Sequence, residues 1–290
     1  MMDFNFLPAE IERTILDGNS DKISEIRFRL NFPVFGIING KRLFFSKNGK
    51  FTFNKKDALI CTSVYISEIL DKVTEKSLYA YNDRIKQGFI TTKDGIRIGI
   101  AGECVFDGNN IVTIKNFTSL NIRIPHIVKN CSSAFFNKIY SDRVYNTLIV
   151  SPPSKGKTTI LKDIADKLNE WTSFSILLID ERGEFCSVKG ENIDTIRFCD
   201  KRYALNYAIR SLSPEIVITD ELQTENDWKC AKSAVLGGVK MIATCHGDDI
   251  LSFRQKEFFD ESIFERYIVL ENCTLPGVLK GVYDKGFNEL

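Results

Sequence analysis

Residues 151–159 read SPPSKGKTT and run from an apolar strand pattern into an amphipathic helix pattern. A turn so placed can aim backbone N–H groups at phosphate oxygens, send a lysine to the terminal phosphates and set a hydroxyl on Mg2+. Gly156, Lys157 and Thr158 supply that ending. Ser151, Pro152, Pro153, Ser154, Lys155, Gly156, Lys157, Thr158 and Thr159 therefore form a candidate P-loop, and its ligand would be ATP with Mg2+. Ser151 stands where G-x-x-x-x-G-K-[ST] has its first glycine, which bears on the opening of the turn and leaves its context intact, a strand in and a helix out.

Three further polar groups follow apolar strand patterns. Residues 216–219 lead into Asp220 and Glu221. Downstream of a P-loop, such a pair suits Asp220 to holding Mg2+ through water and Glu221 to polarising the attacking water. Residues 241–243 lead through Thr244 and Cys245 to His246, one of only two histidines. If its strand lies between the P-loop strand and the Asp-Glu strand, as in RecA-like sheets, His246 can sense the γ-phosphate. Residues 176–179 lead into Asp180, Glu181, Arg182, Gly183 and Glu184. Asp180 and Glu181 lie nearest the strand end and are the site candidates of this group, with Glu184 readable as a solvated loop charge. Ligands of open sheets bind outside the carboxyl ends of the strands.

A buried sheet must carry these tips. Residues 147–150, 174–179, 215–219, 239–243 and 267–270 are apolar enough to be covered on both faces, as in a parallel sheet. Between them, Leu161, Ile164, Ala165 and Leu168 keep helical spacing, as do Leu205, Ala208, Ile209 and Leu212. The first half reads otherwise. A short helix (7–20) and a strand through Ile26, Phe28 and Leu30 precede a hairpin (34–38, 42–45) turned by Asn39 and Gly40. A helix over 56–87 and short strands at 88–92, 96–101, 111–114 and 120–124 follow. The expected architecture is an α+β domain over residues 1–135 and an α/β, RecA-like P-loop domain with a parallel sheet over 136–290.

Lys and Arg total 39 against 38 acids, a formal charge of +1, so the overall balance demands no nucleic-acid or anionic-membrane partner. Eight cysteines without a Cys-x-x-Cys pair read as small core residues in a reducing compartment. No segment approaches the roughly 18 apolar residues of a membrane span, and the start lacks a signal-peptide pattern. The expected location is cytoplasmic, with membrane contact peripheral and through partners.

In chain order, residues 151–159, 180–184, 220–221 and His246 resemble the Walker A, acidic box, Walker B and histidine box of bacterial secretion and pilus-motor ATPases. YALNYAIRSLSPEIVITDE resembles that superfamily's arginine-bearing helix, turn and Walker B strand, which implies that Arg210 lies close to the site. VLGGVKMIATCHGDD resembles its glycine turn and histidine box. Within the superfamily, SEIRFR, SLYAYNDRIKQGFIT, SLNIRI, LIDERGE, IRSLSPEIVITDE, ATCHGDD and FERYIVL resemble the stage III sporulation protein AA family. The amino-terminal half is similar to the PAS-like domain preceding the motor in pilus-retraction ATPases. Arginines of that domain can reach nucleotide, and Arg97 and Arg123 stand in the corresponding strands. Lys155, and Leu222 with Gln223 after Glu221, depart from the small loop residues and the Gly-Arg or Arg-Asp of the relatives.

The resemblance implies an ATPase in the mother-cell cytoplasm of a sporulating bacterium, driving or assembling a secretion-like channel into the forespore. It implies a homo-hexamer with the channel's membrane proteins as partners, and the charge balance adds the expectation of no nucleic acid. Lys157, Glu221 and His246 would be catalytic, with Thr158 and Asp220 on Mg2+. Two other readings stay open. One is a nucleotide-dependent assembly scaffold with little turnover. The other is a RecA-like nucleic-acid remodelling enzyme, which requires a basic, aromatic-lined path to the site, and the near-neutral charge opposes it.

Overall fold

The computed structural model describes residues 2–17, 22–125, 128–254, 257–273 and 275–290. It forms two compact units, Met1–His126 and Ile127–Leu290. The first contains helices α1 (Ala9–Leu16), α2 (Ser63–Val73) and α3 (Asn82–Lys86). Its strands are β1 (Ile23–Arg29), β2 (Phe35–Ile38), β3 (Lys41–Phe45), β4 (Phe51–Thr52), β5 (Phe89–Thr91), β6 (Arg97–Asp107) and β7 (Asn110–Arg123). They make one antiparallel sheet in the order β4-β3-β2-β1-β7-β6-β5. Ile26, Phe28, Ile98, Ile122 and Leu120 share its core with Ile11, Ile66, Ile69 and Ile85 of the helices, the α+β arrangement expected.

Two local expectations change. The helix expected over 56–87 is broken, because Thr62 caps a new start by accepting the N–H of Tyr65, and Glu75 and Lys76 take positive φ values of 52° and 61° after α2. The strands expected at 111–114 and 120–124 are one strand, β7, paired with a longer β6 across a bulge. Asn116 has φ 49° there, and opposite it a Cβ on Gly102 would lie 2.6 Å from the Lys115 carbonyl oxygen. The Asn39-Gly40 turn is as expected, with φ of 48° and 74°.

The second unit contains α4 (Phe136–Ile139), α5 (Lys157–Trp171), α6 (Lys201–Ser211), α7 (Glu225–Leu236) and α8 (Ile250–Arg254). Its strands are β8 (Thr147–Ser151), β9 (Ile176–Asp180), β10 (Ile193–Arg197), β11 (Ile216–Thr219), β12 (Lys240–His246), β13 (Arg266–Leu270) and β14 (Leu279–Asp284). The sheet order is β10-β9-β11-β12-β8-β13-β14, parallel except for β14. Alternate residues of the buried strands feed two cores, as a sheet covered on both faces requires. Ile149, Leu178, Ile218 and Ile242 pack with Leu161, Ile164 and Leu168 of α5. Leu148, Val150, Leu177, Ile179, Val217 and Met241 pack with Leu205, Ala208, Trp228 and Ala231 of α6 and α7. The half-buried β10 and the edge strand β14 escape a search for apolar runs, because Asp194, Thr195 and Lys280 interrupt them.

The P-loop helix is anchored from its other side. Asp163 accepts the N–H groups of Asn130 (2.6 Å) and Ser132 (2.8 Å) and the Ser132 hydroxyl (2.6 Å), and it pairs with Lys167 at 3.2 Å. Lys167 also donates to Ser132 Oγ (3.0 Å) and Ser133 Oγ (2.8 Å). This binds residues 130–133 to α5, and Phe135 and Phe136 join the same core. No disulfide joins the described cysteines, of which Cys61, Cys186 and Cys245 are buried. Among the described residues no helix is long and apolar enough to cross a membrane.

Burial alone would push the Asp163 carboxyl up, but the bonds from Ser132 and Asn130 and the Lys167 ammonium outweigh it and hold it below the usual carboxylate range. The contribution of Asp163 is thus complete above the unfolded value of about 3.9 and is lost as pH falls through the lower folded value. Asp163→Ala, which strands the Lys167 charge, is expected to cost about 3–5 kcal/mol of unfolding free energy at pH 7. In urea titrations the gap from wild type should narrow toward pH 3, and a gap independent of pH would contradict this account.

Candidate functional site

β8 delivers the loop. Its five residues are buried, and the chain leaves it through Pro152 and Pro153 into a turn with Ser154 at φ 60° and Gly156 at φ 87°, after which α5 begins. The left-handed positions are 154 and 156, so position 151 does not need glycine for its backbone. Lys155, too large for a residue facing phosphate, sends its ammonium to the Cys273 carbonyl (2.7 Å), and its own carbonyl accepts the Gly277 N–H (2.9 Å). Cys273, Pro276 and Gly277 thereby back the loop: a Cβ on Gly156 would meet Gly277 N at 3.3 Å and Pro276 Cβ at 3.5 Å.

Lys157 is buried, and its ammonium donates to the carbonyls of Ser151 (3.1 Å) and Pro152 (3.0 Å) and to His246 Nδ1 (3.0 Å). Burial lowers its pKa, against the opposing field of Glu221. An ammonium only donates, so Nδ1 of His246 is the accepting nitrogen and Nε2 carries the proton. Nε2 lies 2.8 Å from Glu221 Oε1 and donates to it. Sheet order makes this chain possible: β12 lies between β8 and β11, and His246 pairs in register with Ser151.

Glu221 is held on every side. Arg182 NH2 lies 3.2 Å from Oε2, and Gln223 donates to the same oxygen. Its N–H donates to Thr244 Oγ1 (3.0 Å), and its carbonyl accepts from Lys201 Nζ (2.7 Å). Burial would raise its pKa, yet Arg182, His246, Gln223 and Lys157 together bring it below the ordinary glutamate value. Leu222 is core, its N–H on the Thr244 carbonyl at 2.8 Å. Asp220 is buried, which pushes its carboxyl up to about 6 against the attraction of Lys201. Its Oδ1 has no hydrogen-bond partner among the described residues, and Lys201 Nζ stands 3.6 Å away.

A cleft of about 600 Å³ is lined by residues 153–159 with Arg182, Glu184, Glu221, Gln223, His246 and Pro276. A second, of about 270 Å³, shares Arg182, Glu221 and Gln223 and adds Asp220, Glu181 and Lys201. The acidic loop therefore divides differently from the reading of its sequence. Asp180 is fully buried and caps its own turn, accepting the N–H groups of Glu184 (2.7 Å) and Phe185 (2.9 Å). Glu181 pairs with Lys201 at 3.0 Å. Glu184, which the sequence left readable as a solvated loop charge, enters the P-loop cleft and accepts the Thr158 hydroxyl at 3.0 Å. Arg210 is exposed in the last turn of α6 and lines neither cleft; nine residues of helix, about 13 Å, separate it from Lys201 at the site. Arg97 and Arg123 oppose each other across β6 and β7 in the first unit and line a 170 Å³ hollow there, Arg97 stacked 3.7 Å over Phe89.

The family model for sporulation stage III, protein AA matches residues 4–290. The chain belongs to that family. Stage III sporulation protein AA of Bacillus subtilis (strain 168) is 30% identical over 286 residues, 93% of this chain and 89% of that protein. Among solved structures, the Legionella pneumophila ATPase DotB aligns over 93% of this chain and 78% of its own, with TM-score 0.62 and 12% identity. The pilus retraction motor PilT with bound ADP aligns over 89% and 77%, with TM-score 0.61 and 16% identity. At such identities the likeness speaks to fold: this family member has the fold of secretion and pilus-motor P-loop ATPases.

Arg182 and Lys201 are the site residues that motif reading passed over. Arg182 stands inside the acidic run, where a cation among acids signals a pair; Lys201 opens a helix whose start no strand pattern marked. Gly156→Ala is expected to destabilise this unit by about 1–2 kcal/mol, since it places a side chain at φ 87° against Pro276 and Gly277. Denaturant unfolding measures this, and an unchanged midpoint would refute the claim that the left-handed turn depends on glycine.

Proposed function

We propose that this chain is an ATP-hydrolysing motor subunit whose reaction site is the P-loop cleft. The observation that carries the reading is the linked row Lys157, His246, Glu221, Arg182 across the tips of β8, β12, β11 and β9. Lys157 now rests on neutral acceptors, and phosphate oxygens offer it stronger, charge-assisted bonds at the same mouth. Moving Lys157 removes the donor at His246 Nδ1, so occupation of the phosphate position is communicated through one imidazole to Glu221. Glu221, ionised and aimed by Arg182 and His246, is placed to orient and polarise the attacking water.

Magnesium fits the oxygen donors present. A magnesium ion bound with nucleotide needs few protein groups, its other positions being filled by waters and phosphates. Thr158 and the unbonded Asp220 Oδ1 would hold it, with Glu184 beside Thr158. Bound there, the ion would supply positive charge against the negative charge developing on the transferred phosphoryl group. Family membership supports a role in sporulation, and the fold of the secretion and pilus motors supports a homo-hexamer acting on the membrane proteins of a channel from the mother-cell cytoplasm.

Lys157→Ala should weaken ATP binding about 100-fold or more, a loss near 3 kcal/mol of charge-assisted bonding, as read by calorimetry. Glu221→Gln should leave that affinity within about threefold while lowering kcat by about 100-fold or more. Equal ATPase rates for wild type and Glu221→Gln would remove Glu221 from the mechanism.

A further inference from the structure

Lys201 is a lysine whose burial and place on its helix both disfavour a cation, and only its acidic neighbours offset them. It is the first residue of α6, where the helix dipole is positive, and it is 3% exposed. A breach of a local rule at a buried position marks a residue kept for what it touches. Its ammonium donates to the Glu221 carbonyl at 2.7 Å, lies 3.0 Å from Glu181 Oε2 and stands 3.6 Å from Asp220 Oδ1. Its own N–H donates to Glu181 Oε1 at 2.7 Å, so Glu181 clamps the residue at both ends. Two of its donors are taken by the Glu221 carbonyl and Glu181 Oε2, with the Asp220 carboxylate close by, so the ammonium is committed to the protein and not offered to phosphate.

We propose that Lys201 is a positioning residue for ATP hydrolysis: it fixes the main chain of Glu221, so that the Glu221 carboxylate keeps its aim. The inference rests on the ATPase reading above. The peptide groups flanking Glu221 are gripped from two sides, the N–H by Thr244 Oγ1 and the carbonyl by Lys201. Arg182 and His246 set only the carboxylate end, and Arg182 is half exposed, so the rigidity of the residue comes from the buried grips. Small displacements of a catalytic group lower rate more than affinity, because the ground-state contacts to nucleotide lie elsewhere in the loop.

The test measures kcat, KM, affinity for a fluorescent ADP analogue and melting temperature for wild type, Lys201→Met, Thr244→Val and Glu221→Gln, and for Lys201→Met combined with Glu221→Gln. Lys201→Met is expected to lower kcat by about tenfold or more while the ADP affinity stays within about threefold. In the Glu221→Gln background it should lower the residual rate no further, since there is no carboxylate left to aim. A folded Lys201→Met with wild-type kcat overturns the inference, as does the same fold-loss in both backgrounds. If Lys201→Met does not fold, Thr244→Val releases the other grip and must give the same split, and an unchanged kcat overturns the inference. Wild-type protein that turns over no ATP overturns the ATPase reading and this role with it. Turnover in wild type that survives Lys201→Met overturns this role alone.

Discussion

His246 accepts a hydrogen bond from Lys157 at one ring nitrogen and donates one to Glu221 at the other, and the rest of the carboxy-terminal unit serves to make that possible. The three residues belong to segments far apart in sequence. Only a sheet that inserts β12 between β8 and β11 brings their tips side by side, and only parallel strands present all three at one edge. Each strand in that stretch is buried on both faces, so α5 on one side and α6 and α7 on the other hold the tips in register.

The irregular residues of the loop are explained by the same packing. Ser151 ends a buried strand and contributes its carbonyl to Lys157, a task that asks nothing of glycine. Lys155 ties the loop to the Cys273 carbonyl, and Leu222 fills core. These residues support the loop, while the motif residues Gly156, Lys157 and Thr158 line the cleft. Cations and acids also alternate through the two clefts. Buried carboxylates such as Asp220 survive there because Lys201 and Arg182 stand close by.

Much of this could be read from residue order alone. The parallel sheet announced itself through apolar runs, and the P-loop, Asp220, Glu221 and His246 through polar residues set just after them. What stayed hidden were features without a periodic signature. β10 and β14 are too polar, the break after α2 depends on two residues in left-handed conformation, and the bulge at residues 116–118, opposite Gly102, joins two apparent strands into one. The acidic loop was legible as a site but not in its division of labour. Whether Asp180 or Glu184 faces the cleft depends on a turn closed by the Asp180 carboxylate itself. Arg210 illustrates the converse: helical spacing places it on α6, but its distance along the helix from Lys201 takes it away from the clefts.

The central claim is that residues 154–159 receive the phosphates of ATP and that the tips of β11 and β12 respond. Hydrogen–deuterium exchange of the purified chain with and without Mg2+ and a non-hydrolysable ATP analogue tests it most directly. The account predicts slowed exchange at the amides of the loop, accompanied by changes at residues 220–223 and 244–247. Unaltered exchange across both regions at saturating nucleotide, or protection confined to other parts of the chain, would contradict it.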